Sequence, residues 1–379
     1  MDDIYLDHNA TTPVDPRALR ALLPFLEEGF GNPSSAHARG RAARAALEEA
    51  RAQVAAALGA SVDEVIFTSG GTESNNTALK GVAYALRDRG DHLITTSVEH
   101  PAIRRPAQHL ASLGCRLTVL PVDAQGLVDP DDVRRAITSR TVLVSVMHAN
   151  NETGAVQPIA DISRVTRERG VLLHTDAAQS VGKLPANVDE LGVDLLTVAG
   201  HKLNAPKGVG ALYVRRGVRM EPLLHGAGHE GGRRAGTENV AFAVALGTAM
   251  ALAAADLERY GREVSALRDL LEERLRGAFG EGLVLNGPRE RRLPNTLNVC
   301  VPACTGEELL RAAEGVLAST GSACHEGEVA LSPVLAAMGV PVELGRGAVR
   351  FSLGRTTTRD DVEGAAQRII EASRRLGAL

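Results

Sequence analysis

The run Val65-Ile-Phe-Thr-Ser-Gly-Gly-Thr-Glu-Ser-Asn-Asn-Thr-Ala-Leu79 decides the fold. Its first four residues are apolar or β-branched without alternation, the pattern of a strand covered on both faces. Two glycines allow a tight turn, and helical periodicity follows over 73–87. Strand, turn and helix in so short a span is the unit of sheets with crossover helices. Outward from it the same unit recurs. Apolar runs at 65–68, 92–96, 116–120, 142–147, 171–175, 195–198 and 209–214 predict seven strands, with helices at 102–113 and 159–169 among them and at 16–28 and 37–58 before them. Past Gly236 the stretch 239–279 reads as one long connecting helix. Strands at 293–301, 316–320 and 348–353 then mix with helices at 307–313, 333–338 and 359–376. The expected architecture is α/β: a mainly parallel seven-stranded sheet with helices on both faces, plus a smaller α+β domain. Residues 15–255 form the large domain in this division, and 1–14 with 256–379 the small one.

The chain of 379 residues exceeds the roughly 250–300 at which a single core stops growing, which agrees with two cores. Charged residues make up 23% and hydrophobic ones 44%, enough apolar material for a folded chain. A formal net charge of −4 provides no broad basic surface for nucleic acid. Neither a signal peptide nor a run of membrane-spanning length is evident, so a cytoplasmic protein without membrane attachment is expected. The four cysteines, Cys115, Cys300, Cys304 and Cys324, form no CxxC pair, as suits a reducing compartment, and the Cys300–Cys304 spacing fits no zinc pattern.

Three segments carry chemistry. The turn at Gly70, Gly71 and Thr72 can cradle an anion, since glycines permit close approach and the first N–H groups of a helix point outward; alone it serves equally as a strand-to-helix turn capped by Thr72. In His174-Thr-Asp-Ala-Ala-Gln179, Asp176 and Gln179 follow a buried strand, where ligands of open α/β sheets collect, although an isolated Asp there also reads as a helix cap. Val198-Ala-Gly-His-Lys202 places His201 and Lys202 in a loop of small residues. A confined lysine there gains a depressed pKa and becomes a usable amine; the plain alternative is a surface loop lysine. Lys80, Lys183 and Lys207 are the only other lysines; Lys80 and Lys183 have no evident site context and Lys207 lies beyond Pro206. Together the segments supply a phosphate cradle, an acid for a pyridine nitrogen and a lysine, the needs of pyridoxal 5'-phosphate.

At this point the sequence resembles the NifS/IscS-type cysteine desulfurases, fold-type-I pyridoxal-phosphate enzymes of the class-V aminotransferase family. The matching motifs run from Tyr5-Leu-Asp-His-Asn-Ala-Thr-Thr-Pro13 through Gly70-Gly-Thr-Glu-Ser-Asn-Asn76, Val98-Glu-His-Pro101 and Asn150-Asn-Glu-Thr-Gly154. They continue to Arg233-Arg-Ala-Gly-Thr-Glu-Asn239, Gly321-Ser-Ala-Cys324 and Arg350-Phe-Ser-Leu-Gly354. The resemblance implies that Lys202 forms the Schiff base, Asp176 pairs with the pyridine nitrogen, His100 stacks on the ring and relays protons, and Gln179 contacts the ring hydroxyl. It places Gly71, Thr72 and His201 at the phosphate, with Thr237 of a second subunit reaching the same phosphate, so a homodimer is implied. Asn151 and Arg350 would bind the carboxylate of L-cysteine, and Cys324, in an exposed Gly/Ser-rich loop, would take the sulfur as a persulfide for an acceptor protein such as an iron–sulfur scaffold. Many relatives have a phosphate-binding serine where this chain has Ala199. The alternatives are a selenocysteine lyase, and a sulfur-relay partner without catalysis.

Overall fold

In the computed structural model, which describes residues 3–379 apart from 321, 326 and 327 and only the backbone of 322–325 and 328–330, all seven predicted strands join one sheet. The chain begins with β1 (Ile4–Tyr5) and two helices, α1 (Pro16–Glu27) and α2 (Ala38–Leu58). The sheet comprises β2 (Val65–Thr68), β3 (His92–Thr96), β4 (Arg116–Leu120), β5 (Thr141–Ser145), β6 (Leu172–Asp176), β7 (Leu195–Ala199) and β8 (Gly210–Val214). Their spatial order is β2-β8-β7-β6-β5-β3-β4. All neighbours are parallel except β8, which runs against both β2 and β7. Of the seven strands only β4, at one edge, has exposed residues, Arg116 and Val119, whereas β2 at the other edge is buried throughout.

Alternate residues of each strand feed two cores. Val65 and Phe67 pack with Leu22, Leu47 and Leu246. Ile66 points to the other face, against Leu79 of α3 (Gly71–Ala85) and Ile103 of α4 (Pro101–Ser112). Helices therefore cover both faces. The side-chain carboxylate of Asp15 caps α1, accepting from Arg17 N–H, and His100 caps α4, its Nδ1 accepting from the N–H of Ala102.

The stretch expected as one long helix is two, Val240–Ala255 and Leu257–Phe279, set at 73°. The break falls at Asp256, whose carboxylate accepts from Arg259 Nε at 2.6 Å and from Arg355 Nη1. The bend has a packing cause: Leu246 and Met250 serve the sheet's core, whereas Val264, Leu271 and Leu275 serve a separate cluster with Phe351 and Ile369. Among the described residues no single helix is long and apolar enough to cross a membrane.

That second cluster lies on an antiparallel sheet. Its strands are β9 (Val284–Leu285), β10 (Thr296–Cys300), β12 (Ser319–Thr320) and β15 (Ala348–Ser352), in the order β12-β15-β10-β9. Strand β11 (Val316–Leu317) pairs in parallel with β1, which ties the amino-terminal segment to this cluster. The segment expected as a loop around Cys324 has strand backbone instead: β13 (Ser322–His325) pairs antiparallel with β14 (Glu328–Leu331), placing Cys324 opposite Val329. The alternating Val329 and Leu331 suit an extended chain, which the Gly/Ser content upstream obscured. The Cys324 side chain lies outside the described residues.

Candidate active site

The ends of β2, β6 and β7 open on one cavity of about 390 Å³, and nine of the predicted site residues line it: Gly71, Thr72, His100, Asn151, Asp176, Gln179, His201, Lys202 and Arg350. Gly70 precedes α3 at φ 143°, a backbone that L side chains rarely adopt, and no side chain caps the helix. Its first N–H groups thus face the cavity beside the Thr72 hydroxyl, the arrangement that binds anions. A Cβ at Gly71 would stand 3.2 Å from the Cβ of Ala199, so these two small residues keep that wall open.

Asp176 closes β6 and is buried. Its Oδ2 accepts from Asn75 Nδ2 at 2.7 Å and its Oδ1 from the N–H of Ala178 at 3.0 Å. These donors hold the carboxylate in place, facing the cavity. Lys202 ends a short turn after β7, and its Nζ donates to the carbonyl oxygens of Asn9 at 2.6 Å and Ala10 at 2.8 Å. Burial, helped by the Arg350 charge, pulls its pKa down from 10.5 to about 8. Burial also lowers His100, whose Nδ1 is committed to the Ala102 N–H, so the neutral ring carries its proton on Nε2. His201 is likewise pulled down to about 4 by burial, then by Lys202, and its Nδ1 lies 3.2 Å from the Thr11 hydroxyl.

Arg350 projects from β15. Its Nη1 donates to the Asn151 carbonyl at 3.0 Å, and its Nη2 to Asp7 Oδ1 at 2.6 Å and Ser319 Oγ at 3.0 Å. Among the described residues its buried Nε has no partner, a donor free for a carboxylate. Thr237 does not join the cavity; it is exposed three residues before Val240–Ala255.

Lys183 requires a correction. It has a site context after all: it is fully buried, its Nζ donates to Gln179 Oε1 at 3.0 Å and Asn9 Oδ1 at 3.2 Å, and burial, then Lys202 and Arg350, bring its pKa down to about 7. Asn9, Ala10 and Asn75 also went unassigned from sequence, although Asn75 sits inside the Gly-rich motif and Asn9 inside the first matching run. Glu99 is another. Its Oε1 accepts from the Thr96 hydroxyl and the Met147 N–H, both at 2.8 Å, so it anchors the turn bearing His100, and burial pushes its pKa up to about 8. Among the described residues no cluster of three or more His, Cys, Asp or Glu side chains could hold a metal ion.

The class-V aminotransferase family matches residues 4–364. The cysteine desulfurase IscS of Dictyoglomus turgidum is 48% identical over 377 residues, which cover 98% of this chain and 95% of the relative. Its namesake from Methanosarcina thermophila is 46% identical over 381 residues, covering 98% and 92%. A solved NifS-like protein superimposes with a TM-score of 0.92 at 38% identity, over 97% of this chain and 98% of its own. SspA, solved in complex with cysteine, gives 0.81 at 36% over 92% and 98%. Matches of this extent span both cores and every segment that lines the cavity, and the chain accordingly belongs to the NifS/IscS-type cysteine desulfurases of the class-V aminotransferase family.

Proposed function

We propose that this protein is a pyridoxal-phosphate-dependent cysteine desulfurase: it converts L-cysteine to L-alanine and carries the sulfur as a persulfide on Cys324 to an acceptor protein. The observation that carries the reading is the convergence of nine residues, drawn from 71 to 350 along the chain, on one cavity. The residues fit the cofactor. The uncapped start of α3, Thr72 and His201 suit its phosphate, Asp176 its pyridine nitrogen, Gln179 its ring hydroxyl, and Lys202 its aldehyde. When bound, pyridoxal phosphate supplies an electron sink for the pair released at the substrate Cα.

The chain's own groups do the rest. Asp176 holds a proton on the ring nitrogen. The Lys202 amine, already near neutrality, takes the proton from Cα, and His100 offers a further proton at Nε2. The Arg350 Nε gives the substrate carboxylate a donor, with Asn151 beside it. The Cys324 thiolate then attacks the substrate sulfur; an S–S bond forms, the C–S bond breaks, Cβ gains a proton, and Lys202 returns a proton to Cα to complete alanine. Atoms and electrons balance without an outside oxidant.

The working unit in this reading is a homodimer in the cytoplasm. Thr237 is exposed and does not line the cavity of its own chain, which leaves it available to that of a second copy. Leu19, Leu23, Leu26 and Phe30, at helical spacing on and just after α1, are 45%, 41%, 56% and 69% exposed, an apolar stripe suited to a second copy.

Separate incubations with L-cysteine and L-selenocysteine test the reading. Alanine from cysteine, with a sulfur adduct on the Cys324 peptide, is expected; alanine from selenocysteine alone overturns it in favour of a lyase. A purified protein lacking the cofactor band near about 420 nm after reconstitution would be an inactive relay partner.

A further inference from the structure

A lysine withdrawn from water is costly unless its donors are used, and Lys183, only 5% exposed, uses them on two neutral oxygens. One belongs to Gln179, the other to Asn9. Both recipients face the cavity. Among the described residues no carboxylate contacts Lys183.

The contact settles which way the Gln179 amide points. A protonated lysine amine can only donate, so the end of Gln179 against it is the oxygen, and the Asn9 carbonyl at the other end requires the same orientation when the amine is neutral. The other end, Nε2, donates to the carbonyl of Asn9 at 2.9 Å, an atom that can only accept. A flipped amide would set oxygen against that carbonyl and nitrogen against the lysine, a mismatch at both ends. The second Nε2 proton has no use in this network and is left for the cavity. Asn9 is itself fixed independently: its Nδ2 donates to Thr296 Oγ1 at 2.8 Å and to the Asn151 carbonyl at 3.2 Å, and its Oδ1 accepts from Asn295 as well as Lys183.

We propose that Lys183 is a positioning residue, which fixes the amide of Gln179 so that a nitrogen donor faces the bound cofactor. It touches no substrate and acts through Gln179. The proposal rests on the pyridoxal-phosphate reading above and deepens it, by naming what orients the group that meets the ring hydroxyl.

A double-mutant cycle on the reconstituted enzyme tests it, read as the cofactor dissociation constant from the visible band and by equilibrium dialysis. Lys183→Met should weaken cofactor binding roughly tenfold, the scale of one well-placed hydrogen bond. In a Gln179→Leu background the same change should have less than about a twofold effect, since the group acted upon is gone. Lys183→Gln keeps a donor and should bind within about threefold of wild type. Equal losses from Lys183→Met in both backgrounds, no loss from it alone, or a Lys183→Gln as weak as Lys183→Met would each overturn the proposal. A wild-type protein that takes up no cofactor would overturn the functional reading instead, and the two failures are distinct.

Discussion

Arg350 Nη2 lies 2.6 Å from Oδ1 of Asp7, a residue 343 positions earlier in the chain, and the pairing turns the guanidinium so that its Nε edge is left without a partner among the described residues. An arginine already neutralised in part by one carboxylate is held rigid, and it still has a donor edge for a second carboxylate. Arg350→Ala should therefore lower kcat/KM for cysteine by about 10²- to 10³-fold, most of it in KM, because charge-assisted hydrogen bonds carry roughly 1.5–3 kcal/mol each. The visible cofactor band should persist. Steady-state kinetics beside an absorbance spectrum check both halves.

The same two residues pull the Lys202 amine in opposite directions. Arg350 lowers its pKa and Asp7 raises it, while burial sets the main shift to about 8. At pH 7.5 about a quarter of such an amine is neutral, against roughly a thousandth for an ordinary lysine. Cofactor capture by the apoprotein should then rise with pH and level off above about 8. Asp7→Asn should move that midpoint down and Arg350→Ala should move it up. Stopped-flow absorbance across pH 6.5–9.5 reads the shifts, and two shifts of the same sign would contradict the arrangement.

Ala199 lines the cavity beside Gly71 and has no side-chain donor. Ala199→Ser should tighten cofactor binding by about tenfold, as one hydrogen bond to a charged acceptor would. Dialysis followed by cofactor assay measures it; unchanged binding would mean that this wall does not meet the phosphate.

Cys324→Ser should leave the cofactor band and cysteine binding intact, yet reduce alanine formation from cysteine by orders of magnitude, the scale of losing a covalent nucleophile. Cleavage of selenocysteine should suffer less, since the selenolate is the better leaving group. Mass spectrometry should find the sulfur adduct on the wild-type Cys324 peptide and on none containing Cys115, Cys300 or Cys304. The first of these three is partly buried and Cys300 fully so, and burial raises the thiol pKa of all three.

Much of this was legible in the chain because its signals are local. Val65 to Leu79 announces strand, turn and helix within one window, and β2, β3 and β4 fall on the runs that predicted them. Lys202, Asp176 and Thr72 declared themselves by residue type placed after strands. What stayed hidden depends on distance along the chain. Nothing near Lys183 announces Asn9, 174 positions away, and no periodicity reveals that a residue in the amino-terminal segment accepts the hydrogen bond of the site lysine. The bend at Asp256 escaped for a related reason, since its cause is the facing of two helices toward different cores, and helical propensity alone registers only that both halves are helical. Reversal of β8 within an otherwise parallel sheet is likewise a property of the short connection from Gly200 to Val209, too brief for a crossover helix.

The amino-terminal segment carries a consequence for biosynthesis. Asn9 takes hydrogen bonds from or gives them to Thr296, Ser352 and Lys202, partners 287, 343 and 193 positions downstream. At about 5–20 residues per second, synthesis of the chain occupies roughly 20–75 s; through the first half of that interval the leading residues have no place to dock, and the partners at 296 and 352 follow only later. The large sheet can assemble as it leaves the ribosome. The floor beneath Lys202 cannot, so from Val214, where the last strand of the sheet ends, until Ser352 is made the nascent chain has a sheet but no finished socket. Completion of the socket is thereby postponed until residues 296–352 have been made.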